Sequence, residues 1–179
     1  MTTPKLEAGM PFPSIHVTAE DQTTRDITAP QNGCDWMMIV VYRGKHCPLC
    51  TRYLNSLEEV RETLKNSGVD IAAVSADSPE QLAAHKAELK VNFPLYTGLS
   101  VEQMQALGLY ISDPRSAQET DHPFAEPGIF VINAEGQLHV ADISNNPFVR
   151  PEISTLVSGL RWIRDPDNNY PVRGKRAYQ

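Results

Sequence analysis

Residues 36–42 are apolar without a break, and a helix-forming stretch begins a few residues beyond them, headed by Cys47, Pro48, Leu49 and Cys50. An unbroken apolar run of this length reads as a strand covered on both faces. Tyr53, Leu54, Leu57, Val60 and Leu64 then recur at helical spacing, with Arg61 as the one break in the stripe, and Gly68 supplies a stop. Residues 69–76 return to a buried strand. Strand, helix and strand in this succession call for a sheet with a helix laid across it.

The rest of the pattern extends that core. Ile15, His16, Val17 and Thr18 alternate apolar and polar, a polar stretch follows, and residues 25–28 complete a predicted β-hairpin. Ser78, Pro79, Glu80 and Gln81 carry a capping-box signature for a helix expected to run to about Lys90. Residues 93–96 read as a short strand, and residues 101–107 as a short helix stopped by Gly108. Residues 112–126 are polar, contain Pro114 and Pro123, and read as a long loop of the kind that serves function. Residues 128–132 and 137–143 flank Asn133, Ala134, Glu135 and Gly136, which signals a hairpin with a four-residue turn. Residues 151–164 close the pattern as a helix with Ile153, Leu156, Val157, Leu160 and Ile163 on one face. Two βα crossovers followed by an antiparallel hairpin and a helix predict an α/β fold: a mixed central sheet, helices on both faces and an N-terminal β-hairpin.

The cysteines carry the chemistry. Pro48 suits the first helical position, because the N–H it lacks would go unpaired there. A following proline also pushes Cys47 out of the α region, which makes Cys47 the N-cap. Its sulfur then faces free backbone N–H groups and the positive end of the helix dipole. Thiol pKa values in such settings fall from ~8.5 to ~3.5–7.5. Cys50, one turn on, is within reach of a mixed disulfide formed on Cys47. A zinc site is the rival reading, but four ligands are the norm, and Cys34, His46 and the distant histidines offer no second C-x-x-C. No metal and no cofactor is therefore expected. A structural disulfide closing so short a loop would contribute little. Cys34 reads as a small apolar filler or a surface thiol without a role.

At 179 residues the chain is most simply one domain, residues 1–164, followed by a basic tail, residues 165–179. Arg161, Arg164, Arg173, Lys175 and Arg176 outnumber Asp165 and Asp167 at this end; a solvated tail is favoured over a docked one. The net charge of −6 argues against a nucleic-acid partner. No apolar stretch approaches the ~20 residues of a membrane helix, and residues 1–7 lack the layout of a signal peptide. Three cysteines do not make a secreted disulfide framework. The expected location is the cytoplasm, where a C-x-x-C is catalytic rather than structural.

A redox C-x-x-C after a strand of a βαβ pattern resembles the thioredoxin-fold superfamily. Residues 8–13 (Ala-Gly-Met-Pro-Phe-Pro), residues 42–50 around the two cysteines, residues 127–136 (Pro-Gly-Ile-Phe-Val-Ile-Asn-Ala-Glu-Gly) and residues 170–174 narrow the resemblance to its AhpC/TSA peroxiredoxin-like branch. The resemblance covers nearly the whole chain and implies a three-layer thioredoxin-like fold. It places Cys47 as nucleophile or peroxidatic cysteine and Cys50 as resolving cysteine. It puts Pro127 where thioredoxins hold a cis-proline against the disulfide, an ordinary trans proline being the alternative. The chain also departs from peroxiredoxins: Gly44 and Val40 stand where those carry threonine and proline, and Pro127 stands where they carry an arginine that polarises peroxide. Arg43 is a candidate substitute cation. His46 either lowers the Cys47 pKa as a cation or fills an aromatic position. His122 and Glu126 are candidates to line a substrate groove, while His16, His85 and His139 read as solvated or structural.

The expected activity is thiol–disulfide exchange: Cys47 attacks a substrate disulfide, Cys50 resolves it, and an external thiol donor reduces the pair. Catalysis is assigned to Cys47 and Cys50, and substrate binding to Arg43, His46, Glu126 and Pro127. The first alternative is a thiol peroxidase that passes through a Cys47 sulfenic acid. The second, from another class, is a non-enzymatic redox sensor or binding module. A homodimer is left open.

Overall fold

The computed structural model describes residues 6–178; the opening residues on which the absence of a leader was argued fall largely outside that range. Its centre is β3 (Trp36–Val41), every residue of which is buried. A short hairpin, β1 (His16–Thr18) and β2 (Thr24–Asp26), precedes it. Helix α1 (Pro48–Asn66) carries the chain to β4 (Val69–Val74), which pairs parallel with β3 from Trp36↔Val69 to Val41↔Val74. Helix α2 (Pro79–His85), β5 (Leu95–Tyr96) and α3 (Val101–Ala106) follow. A small pair, β6 (Ile111–Ser112) and β7 (Phe124–Ala125), leads into the antiparallel strands β8 (Gly128–Ile132) and β9 (Leu138–Ile143), and α4 (Ile153–Arg164) is the last α-helix among the described residues. The main sheet runs β5-β4-β3-β8-β9.

Strict alternation along β3 builds two cores. Met38, Val40 and Tyr42 face α1, α2 and α4, where they meet Leu54, Leu57, Leu64, Leu82, Val157 and Leu160. Met37, Ile39 and Val41 face the other way, onto Ile15, Val17 and Ile27 of the hairpin, Met104 of α3, and Leu107 and Leu109. The result is the expected three-layer, thioredoxin-like arrangement. Its second outer layer is a hairpin and one short helix rather than a pair of long helices. Each of the fully buried leucines of α1 contributes about 1.5–3 kcal/mol by leaving water, which anchors the helix whose first turn holds the cysteines.

Three boundaries differ from the expectation. Helix α2 stops at His85, not Lys90, and passes into a turn. The last helix starts at Ile153 because Glu152 caps it, its carboxylate accepting from Ser154 N and Thr155 N. The long loop is tied at its ends, where Ile111 pairs with Ala125 and Ser112 with Phe124. Beyond α4, residues 166–168 form a 3-10 turn, and the tail returns to the N-terminal segment, with the Lys175 side chain beside Gly9. The aromatic ring of Phe130, with no exposed surface on the strand beside β3, sits at the middle of the second core. Phe130→Ala is expected to cost about 3–5 kcal/mol, read as a lower urea midpoint with an unchanged denaturant slope.

Candidate active site

Strand β3 ends at Val41, and residues 42–46 turn the chain from the sheet edge into α1. Asp77, just after β4 and 1% exposed, shapes that turn. Its Oδ2 accepts from Lys45 N at 2.7 Å, and His122 Nε2 lies 3.2 Å from its Oδ1. Gly44 has φ +136, and a β-carbon built there would lie 2.5 Å from Asp77 Oδ1. Asp77 therefore fills the space a side chain at residue 44 would need.

The turn delivers Cys47 as the N-cap of α1, in extended conformation, with Pro48 in the first turn. The Cys50 N–H points at the Cys47 sulfur, 3.3 Å away. The two side chains lie in contact, and neither cysteine is in a disulfide. Cys47 is brought down to about 6, chiefly by the hydrogen bond from the Cys50 thiol, with the Cys50 amide, Arg43 and the Arg150 charge adding to it against the effect of burial. Cys50 is fully buried, and burial, with its role as donor to Cys47, drives its thiol far upward. Of the two sulfurs, Cys47 is the one its surroundings favour as a thiolate, and Cys50 the one they favour as a thiol.

Arg43 is fixed beside the pair. Its Nε lies 3.2 Å from Glu126 Oε2, its guanidinium rests over the Phe124 ring at 4.8 Å, and Glu119 approaches it at 3.8 Å. Glu126 is itself held by the Ser112 hydroxyl at 2.8 Å. His46 packs on Phe124 with ring centroids 4.5 Å apart, so of its two readings the packing favours the aromatic filler. Burial, then the Arg43 charge, pushes its imidazole below the usual range. Burial thus works against a cationic His46 beside Cys47.

A cleft of about 790 Å³ opens over Cys47. Arg43, His46, Cys47 and Pro48 line it on one side, the loop residues Arg115–Asp121 on another, and the exposed ring of Phe148 forms a lip. Cys47 is 2% exposed and forms part of the floor. Glu126 and His122 stand behind the wall: Glu126 braces Arg43 and His122 braces Asp77. Pro127 lies on the far side of the pair, against a small void with Cys50, Tyr53 and Arg150. Its peptide bond is trans, not cis; Ser144 N donates to the Pro127 carbonyl at 3.0 Å, next to the pairing of β8 with β9. Cys34 sits near the other end of α1, its sulfur by Lys65 O, roughly 27 Å along the helix from Cys47.

Two contributors escaped the sequence reading. Asp77 follows a strand in a polar stretch with nothing to mark it. Arg150, in the β9–α4 connection, places Nη2 at 2.7 Å from the Cys50 sulfur; a lone arginine beside a proline has no pattern that ties it to a cysteine one hundred residues away. No helix among the described residues is long and apolar enough to cross a membrane.

A sequence model of the AhpC/TSA family matches residues 8–141. The peroxiredoxin Bcp of Escherichia coli (strain K12) is 25% identical over 138 residues, which span 76% of this chain and 86% of that protein. The fold matches that of a peroxiredoxin-like protein from Aquifex aeolicus with a TM-score of 0.72 at 16% identity, over 88% of each chain. It matches AhpC of Mycobacterium tuberculosis with a TM-score of 0.71 at 18% identity, over 90% of this chain and 100% of that one.

Two outcomes test the geometry. A Cys47 thiolate formed above about pH 6 makes its alkylation by iodoacetamide rise through that pH and level off, whereas an ordinary thiol climbs until ~8.5. Gly44→Thr, forced into a left-handed conformation against a buried carboxylate, is expected to destabilise the fold by about 2 kcal/mol or more in urea titrations.

Proposed function

The chain belongs to the AhpC/TSA family, and from that premise we propose that it is a thiol-dependent peroxidase whose Cys47 reduces a hydroperoxide and whose Cys50 resolves the product within the same chain. The Cys47 thiolate attacks the nearer peroxide oxygen; an S–O bond forms as the O–O bond breaks. The departing oxygen leaves with the electron pair and takes up a proton, giving water or an alcohol. Arg43 supplies positive charge where that oxygen becomes anionic. Sulfur of Cys50 then attacks the Cys47 sulfenic acid: an S–S bond forms, the S–O bond breaks, and hydroxide leaves to become water. An external thiol donor returns two electrons and restores the dithiol.

The observation that carries this reading is the charge arrangement of the pair. A cysteine lowered to about 6 lies on the floor of an open cleft beside a cation, with an unbonded partner already in contact. One feature favours thiol–disulfide exchange as a second reading. Gly44 offers no hydroxyl to a peroxide, and exchange needs mainly a thiolate and a good leaving thiol. Both reactions use the same two sulfurs and the same reductant class. A homodimer is not required by this cycle, because both cysteines belong to one chain. A reducing compartment such as the cytoplasm would keep the resting pair as a dithiol.

Cys50→Ser separates the readings. Treated with hydrogen peroxide, the variant is expected to accumulate a sulfenic acid on Cys47, trapped by dimedone, at least about tenfold faster than free cysteine oxidises. Rapid stalling as a mixed disulfide with a small disulfide, with a slow peroxide reaction, would select exchange instead. Reaction with neither oxidant faster than free cysteine would remove both and leave a binding or sensing role.

A further inference from the structure

Arg150 is gripped by the first turns of the helix that bears the cysteines. Nη1 donates to Leu49 O at 3.3 Å, the guanidinium lies over the Tyr53 ring at 5.0 Å, and the Tyr53 hydroxyl donates to Pro151 O at 2.7 Å. These contacts aim Nη2 at the Cys50 sulfur, 2.7 Å away. Pro151 further confines Arg150 to extended backbone. The grip joins the β9–α4 connection to Leu49 and Tyr53 of α1, the helix whose first turn carries Cys50.

That placement answers a difficulty in the resolving step. Cys50 has no exposed surface, and burial disfavours its ionised form, yet attack on an oxidised Cys47 requires thiolate character. Of the pair, Cys47 is the sulfur favoured to ionise at rest, and the Cys50 amide points at it. Oxidation to a sulfenic acid discharges Cys47. The single negative charge then has to appear on Cys50, and the cation touching that sulfur is Arg150.

We propose that Arg150 is a catalytic residue of resolution: it holds Cys50 as a thiolate once Cys47 carries oxygen, so that oxidation itself moves the charge from one sulfur to the other. The proton released by Cys50 goes to the oxygen that departs from the peroxide, which leaves the charge on Cys50; the hydroxide later expelled from the Cys47 sulfenic acid takes its proton from solvent, and water leaves. This rests on the peroxidase reading for its kinetics, but its electrostatic core does not.

Two measurements decide it. The first uses Cys34→Ser/Cys47→Ser protein, in which a neutral hydroxyl stands in for the discharged first cysteine. Cys50 is titrated by thiolate absorbance in the ultraviolet, with and without Arg150→Gln. The expected result is an upward move of the Cys50 midpoint by about one pH unit or more when Arg150 is lost. Coincident curves, or no ionisation below the alkaline unfolding limit in either protein, overturn the proposal. The second measures single-turnover kinetics with hydrogen peroxide in the chain with both cysteines. Arg150→Gln is expected to slow disulfide formation about tenfold or more at pH 7, with recovery as pH rises, a clearly larger fall than in sulfenic-acid formation, which loses only the more distant Arg150 charge on Cys47. A slowing that is independent of pH, or equal in both steps, assigns Arg150 a merely structural part and overturns it. If Arg150→Gln does not fold, Arg150→Lys keeps a charge without the planar fork and is expected to fall between. If Cys47 proves inert to peroxide, the peroxidase reading fails alone and the titration still decides the role of Arg150.

Discussion

The structure turns on the placement of a thiolate at the point where a buried strand becomes a helix. Everything around Cys47 serves to keep a charge in a nearly dry place. The first turn of α1 offers the Cys50 amide at 3.3 Å. The Cys50 thiol offers its proton, and Arg43 and Arg150 offer charge from opposite sides. None of these donors is free to leave. The amide and thiol belong to a helix locked by leucines without exposed surface, and Arg43 is pinned between Glu126 and the Phe124 ring. Preorganisation of this kind is what allows a buried site to favour charge without rearranging when charge appears.

The two faces of the pair divide the labour. Cys47 looks into a cleft walled by a loop that the β6–β7 pairing closes at its base. Cys50 looks back toward Tyr53, Pro127 and Arg150, where only a small void remains. In the proposed cycle a substrate meets one sulfur, while the other works from behind in a setting solvent hardly enters. Asp77 contributes from further back. Buried beneath the turn, it binds Lys45 N and meets His122 Nε2, and so braces the turn in which Arg43 lies.

Local features were legible in the amino-acid order because their causes are local. The apolar run of β3, the Ser78–Gln81 capping box and the Asn133–Gly136 turn each carry their own reason, and each appears where expected. So does the N-cap role of Cys47, which followed from Pro48 alone. The start of α4 moved because Glu152 is an effective cap, a competition between neighbours that periodicity does not weigh. Glu126 and His122 were seen as residues near a groove, but their tertiary partners turned them into braces. Arg150 was invisible for a related reason: its partner lies one hundred positions earlier, and an arginine's sequence neighbours say nothing about a contact made through space.

The close fit of Gly44 against Asp77 bears on descent as well as on chemistry. A side chain added at residue 44 meets the carboxylate at 2.5 Å, whereas loss of the carboxylate strands the Lys45 amide and His122. Contacting residues of this kind do not contribute independently. Passage between this arrangement and one with a hydroxyl-bearing residue at 44 therefore needs paired change, since either replacement alone is disadvantageous. Residues 44 and 77 thus form one structural unit, in which the size of one side chain sets what the other position can hold.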